Sequence, residues 1–200
     1  MKNIKLLIKI NVVLILCTTF LFGIYKTFNT EEKVEKNEVV AMLNINENVF
    51  KELNKEELFK VLDKEKAAIY IGPYTKEYTQ ILKTFYNASK KNKISKLYYI
   101  NIEEEKSILS YNNEVIVEKE ATPFFDKLLD RLGSFTEIYT LYNQYNEPIN
   151  SGYKTIYTPM VIFIKEGKIL FTHYVKDINL TEEELNNLKE IYKLGFKKIS

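Results

Sequence analysis

Two residues set the ceiling on the chemistry open to this chain: one cysteine, Cys17, and one histidine, His173. A single cysteine excludes an internal disulfide, a Cys-x-x-Cys exchange site, an iron–sulfur cluster and a cysteine-based zinc centre. A single histidine excludes a histidine-built metal site. His173 sits in FTHYV with no evident acid to orient it and no nucleophile beside it. A general base needs both, so it reads as an edge-strand residue. Lys76, in GPYTKEYT, is the remaining candidate nucleophile. A reactive lysine needs desolvation or a cationic neighbour; Glu77 follows Lys76, which therefore reads as a solvated lysine in the first turn of a helix. Glu103, Glu104 and Glu105 could meet a cation with Asp126 or Asp130, but read more simply as a charged loop after a strand. No catalytic residue, metal ligand or cofactor is expected.

The elements that would position these residues follow from composition and pattern. The chain has 200 residues, enough for one domain plus an appendage, and 46% of them are hydrophobic. Basic and acidic residues nearly balance, 29 against 27. That leaves no basic face of the kind a nucleic-acid partner requires.

Lys2, Lys5 and Lys9 precede an uncharged run, INVVLILCTTFLFGIY, from Ile10 to Tyr25. With Leu6 to Ile8 and a snorkelling Lys9, this reaches the roughly 20 residues that a bilayer demands. Lysines before it and EEKVEKNE after it orient the N-terminus to the cytoplasm and the rest outside. Residues 1–27 therefore read as one transmembrane helix, an uncleaved signal anchor holding a single-pass protein at the cell membrane. Two other readings stay open. A cleaved signal peptide lacks a small-x-small site after the apolar run. A lipoprotein signal would use Cys17 in LILC, where Leu16 replaces the expected small residue. Residues 28–45 have no convincing period and read as a linker, leaving 46–200 as the domain.

Within that domain, ENVFKELNKEELFKVLDKEK has near-helical apolar spacing. Asn54 and Glu57 resemble a capping box that starts a helix at Lys55. AAIYI (Ala67 to Ile71) is a buried strand. A helix follows it, with Thr75 as N-cap, Glu77 in the first turn, and Ile81, Leu82, Phe85, Tyr86 and Ala88 as its stripe. KLYYINI is a second, parallel strand. YNNEV marks a turn in a loop or small hairpin, and Thr122–Pro123 opens a helix that Gly133 ends. Ser134 to Gly152 could be helical or an irregular excursion. MVIFI, KEGK and ILFTHYV make a hairpin, and Thr181 with Glu184 caps a final amphipathic helix.

The order of elements and three signatures resemble the thioredoxin superfamily: strand–GPYTKEYT–helix, Thr158–Pro159 before a strand, and the MVIFIKEGKI hairpin. The chain looks more closely like the membrane-attached thioredoxin-like proteins of Gram-positive bacteria, including bacteriocin transport accessory-type proteins. GPYTKEYT, YYINI, KEAT and PMVIFIKEGK stand for their motifs. The resemblance covers about Asn46 to Phe196. It implies an α/β fold, a thioredoxin-like three-layer sandwich with a mixed central sheet. It also implies that Thr158–Pro159 is a cis-proline facing the old active site. Aligned on Gly72 and Thr75, the two cysteine positions hold Lys76 and Thr79. Neither side chain exchanges disulfides, so the implied domain is redox-inactive.

What could remain is a groove of Tyr74, Thr75, Lys76, Tyr78, Thr79, Tyr157, Thr158 and Pro159. Tyrosines at such a groove suit recognition of a protein or peptide at the cell envelope. An alternative makes the chain an accessory of a thiol-redox or bacteriocin-export system, acting with an active paralogue. A third leaves the groove vestigial.

Overall fold

A computed structural model describes residues 38–45, 49–64, 66–92, 94 and 96–200. All belong to one compact unit spanning Asn37–Ser200. The expected transmembrane segment 1–27, Cys17 within it, and the first part of the expected linker lie outside the described residues. Among the described residues no helix is long and apolar enough to cross a membrane.

The chain is an α/β protein built on a mixed five-stranded sheet. Its strands are β1 (Phe50–Glu52), β2 (Lys66–Ile71), β3 (Leu97–Ile100), β8 (Met160–Lys165) and β9 (Lys168–Tyr174). They lie in the order β1-β3-β2-β8-β9. β3 runs parallel to β1 and β2, whereas β8 runs antiparallel to β2 and β9 antiparallel to β8. Two hairpins stand apart from this sheet: β4 (Ile108–Tyr111) with β5 (Val115–Lys119), and β6 (Glu137–Tyr142) with β7 (Pro148–Thr155).

Strand alternation divides the interior into two cores. On β2, Ala68 and Tyr70 face one core; Ala67, Ile69 and Ile71 face the other. A strand buried on both faces must read as a continuous apolar run, which is why AAIYI has no polar position. Helices α1 (Glu38–Met42), α3 (Thr79–Lys91) and α5 (Glu182–Ile199) fill the first core. Helices α2 (Lys55–Leu62) and α4 (Pro123–Leu132) fill the second. In the first core Phe85, Phe163 and Phe196 pack ring on ring, with centroids 5.0–6.3 Å apart. Gly195 lets α5 approach this cluster, since a Cβ there would lie 2.3 Å from the Phe163 ring.

Three of the four capping signals are realised. Asn54 and Glu57 form a reciprocal box at α2, as do Thr181 and Glu184 at α5. The Thr122 side chain accepts from the Phe125 N–H at α4. The Glu57 carboxyl is held below its ordinary range first by the bond from Lys51 and then by the Asn54 N–H of the box, and the Glu184 carboxyl by the Thr181 bonds.

Four expectations need correction. The segment read as linker to residue 45 ends in α1, whose Val39 and Val40 are buried in the first core. Five residues are too few to show a period. The near-helical spacing that begins at Glu47 does not make Phe50–Glu52 helical: that stretch is strand β1, paired with β3, and the helix starts at Lys55, where the Asn54–Glu57 box put it. Thr75 stands at the N-cap position of a 3-10 turn, Lys76–Tyr78, but its side chain makes no capping bond. Ser134 to Gly152 is neither helical nor irregular. After a 3-10 turn at Gly133–Phe135 it forms most of the β6–β7 hairpin. Asn143 closes that hairpin by accepting from the N–H groups of Tyr145 and Glu147, both at 2.9 Å.

Candidate functional site

The geometry turns on Gly72, where β2 ends. Its N–H donates to the Ile100 carbonyl at 2.9 Å, and its φ of +143° is a conformation that only glycine adopts with ease. A Cβ there would lie 2.9 Å from the Pro159 Cα and 3.2 Å from the Thr158 Cβ. The GPYTKEYT turn and the proline loop therefore meet backbone to backbone. The Thr158–Pro159 peptide bond is cis, as the resemblance implies.

The two segments that carry the eight expected groove residues meet here, but their side chains do not face one way. Tyr74 turns toward β1. Its hydroxyl donates to Glu52 Oε1 at 2.9 Å, and its ring stands edge-on to Tyr99 with centroids 5.0 Å apart. Partial burial and the Glu52 carboxylate push its phenol up to about 12. Tyr78 is half-buried against the first core, and that burial raises its phenol as well. Thr75 and Lys76 are exposed. The Thr79 hydroxyl is spent locally, donating to the Lys76 carbonyl at 2.7 Å. This flank has no nucleophile paired with a base.

Tyr157 and Thr158 point into a pocket of about 400 Å³ on the other flank, between β6 and the end of β9. Pro159 is buried beneath them. Tyr157 packs on Tyr174 with ring centroids 5.4 Å apart. Its hydroxyl accepts from the Thr140 N–H at 3.3 Å and donates to the Ile138 carbonyl at 3.4 Å, tying the proline loop to β6. Ile138, Thr140 and Tyr142, spaced by two, present one face of β6 to the pocket. Tyr142 is 59% exposed.

Thr158 is held from behind by a lysine that the sequence analysis did not single out. Lys106 Nζ donates to Thr158 Oγ1 at 2.6 Å and to Glu103 Oε1 at 2.9 Å, and Thr158 Oγ1 in turn donates to Glu103. Burial lowers the Lys106 ammonium from its ordinary value, against the opposing pull of Glu103. Glu103 is thus engaged by the proline loop, and Glu105 by Lys55 and Thr122. The three glutamates do not converge: among the described residues no group of three acidic, histidine or cysteine side chains could hold a metal. His173 is half-buried on β9, where burial pushes its imidazole down.

The functional residues missed from sequence are therefore Lys106 and the pocket face of β6. The first had no local signal, since Thr158 is 52 positions away. The second was legible in EIYTLY, as alternation rather than as helical spacing. No protein-family model matches this chain, and no curated protein matches it in sequence.

Proposed function

We propose that this protein is a thioredoxin-like module without thiol–disulfide activity, tethered to the cell membrane by residues 1–27, that binds a protein or peptide partner outside the cytoplasm. The reading is supported by the strand order β1-β3-β2-β8-β9 and by helices on both faces of the sheet, which suit a thioredoxin-like three-layer sandwich. The absence of any cysteine after Cys17 removes disulfide exchange from the domain.

One observation carries the binding role: the proline loop opens, through Tyr157 and Thr158, onto an aromatic-walled pocket of about 400 Å³. Tyrosines give large contact area at low cost in side-chain entropy, which suits them to anchor a partner. The partner surface accordingly centres on Tyr157, Thr158 and the β6 face rather than on Lys76 and Thr79.

Site-specific photo-crosslinking in intact cells tests this, with the probe at Tyr142 and a control at the exposed Lys197 on α5. A discrete adduct at Tyr142 and none at Lys197 is expected. Equal labelling at both positions, or none at Tyr142 in folded, membrane-associated protein, would contradict a binding role for this pocket.

A further inference from the structure

The pocket beside the proline loop adjoins a second, of about 530 Å³, and the two share Glu137, Tyr174 and Lys176 in their walls. Glu137 and Lys176 carry opposite charges, yet neither forms an ion pair or side-chain hydrogen bond with any described residue, including each other. Two nearby carboxylates are engaged within the fold. Asp177 accepts from the Asn179 N–H at 2.8 Å, and Glu103 is taken by Lys106 and Thr158. The pocket therefore presents one free carboxylate, one free ammonium and the tilted Tyr157–Tyr174 ring pair.

Each feature restricts the ligand. Glu137 and Lys176 are both exposed, so an uncharged apolar occupant would gain nothing from either charge. A simple anion would meet Glu137, and a simple cation would leave Lys176 unanswered. Tyrosine faces add a preference for a cation, because their quadrupole is negative over the ring. A flexible four-carbon stem ending in an ammonium suits a pocket lined by both a carboxylate and tyrosine rings.

We infer that this pocket takes a basic side chain that carries a carboxylate within its own reach, as at the end of a polypeptide terminating in lysine. The ammonium lies between Glu137 and the Tyr157 and Tyr174 rings, and the carboxylate pairs with Lys176. The inference rests on the proposed binding role and names the chemistry that the partner must present.

The test uses the full-length chain with isotope-labelled tyrosine and three small probes followed by NMR. N-acetyl-lysine carries both charges, its methylamide only the ammonium, and N-acetyl-norleucine only the carboxylate. Exposed ion pairs and cation–π contacts are individually weak, so N-acetyl-lysine should bind with a Kd on the order of 1 mM and the other two roughly fivefold more weakly. Glu137→Gln should erase the advantage of the ammonium and leave that of the carboxylate; Lys176→Gln should do the reverse. Neither side chain has a partner among the described residues, so both variants should fold normally.

Equal shifts from all three probes, or no saturable shift with N-acetyl-lysine, would overturn the inference. These outcomes are independent of crosslinking. A Tyr142 adduct without N-acetyl-lysine binding rejects this ligand class alone, whereas loss of the adduct rejects the binding role itself.

Discussion

The two flanks of the proline loop use similar residues to opposite ends. On the α3 side, Tyr74 is folded back onto Glu52 and Tyr99, and Thr79 is bonded to the backbone of its own turn. Their polar atoms are satisfied from within, and Lys76 is simply exposed. On the β6–β9 side, Tyr157 and Tyr174 line an open pocket, and Glu137 and Lys176 have no partner among the described residues. The Tyr157 hydroxyl and ring are engaged as well, with β6 and Tyr174, so the tyrosines alone do not separate the flanks; the pocket and its charges do. Local satisfaction closes one flank, and unspent charge leaves the other open to a ligand.

Substitutions can break this contrast, beginning with the joint that both flanks share. Gly72→Ala drives a Cβ into the Pro159 backbone at a φ that alanine resists. It should cost about 3 kcal/mol, read as a lowered midpoint in denaturant unfolding with unchanged slope. Lys106→Met comes next. It leaves the Thr158 hydroxyl and Glu103 without their half-buried donor and should cost about 1 kcal/mol. It should also weaken probe binding on the β6–β9 side while leaving the high Tyr74 titration, near 12, where it is.

A smaller effect should come from His173, in the wall of the second pocket, whose imidazole burial holds below its ordinary 6.5. Between its folded-state value and 6.5 the unfolded chain binds more protons. Stability should therefore fall as pH drops through that window and level off below it. His173→Asn should flatten that segment of a stability-against-pH curve. Lys76→Ala and Thr79→Ala should do least, each staying within about 0.5 kcal/mol of the parent by thermal unfolding and leaving probe affinity unchanged.

Much of the framework was legible because it is encoded locally. The capping boxes at Asn54 and Thr181, the apolar run of β2 and the KEGK turn each lie within a few residues. What escaped needed either length or distance. Strand β1 has three residues and α1 five, too short for a period to emerge from charged neighbours. In β6 and the turn after it, Tyr139, Tyr142 and Tyr145 fall three apart and imitate a helical stripe. The deciding signal was the Asn143 turn that folds β7 back on β6. The eight expected groove residues come from two segments that the Gly72–Pro159 contact brings together. The sequence could not say which way each side chain turns, because that depends on Glu52, Tyr99 and Tyr174, all distant along the chain.

The most direct test sets the two flanks against each other in the same cells: photo-crosslinking with the probe at Tyr142 in one strain and at Lys76 in another, at matched expression. The account predicts a discrete adduct from Tyr142 that is lost on Tyr157→Ala, and no comparable adduct from Lys76. An adduct from Lys76 with none from Tyr142 would contradict it and return the partner to the α3 flank.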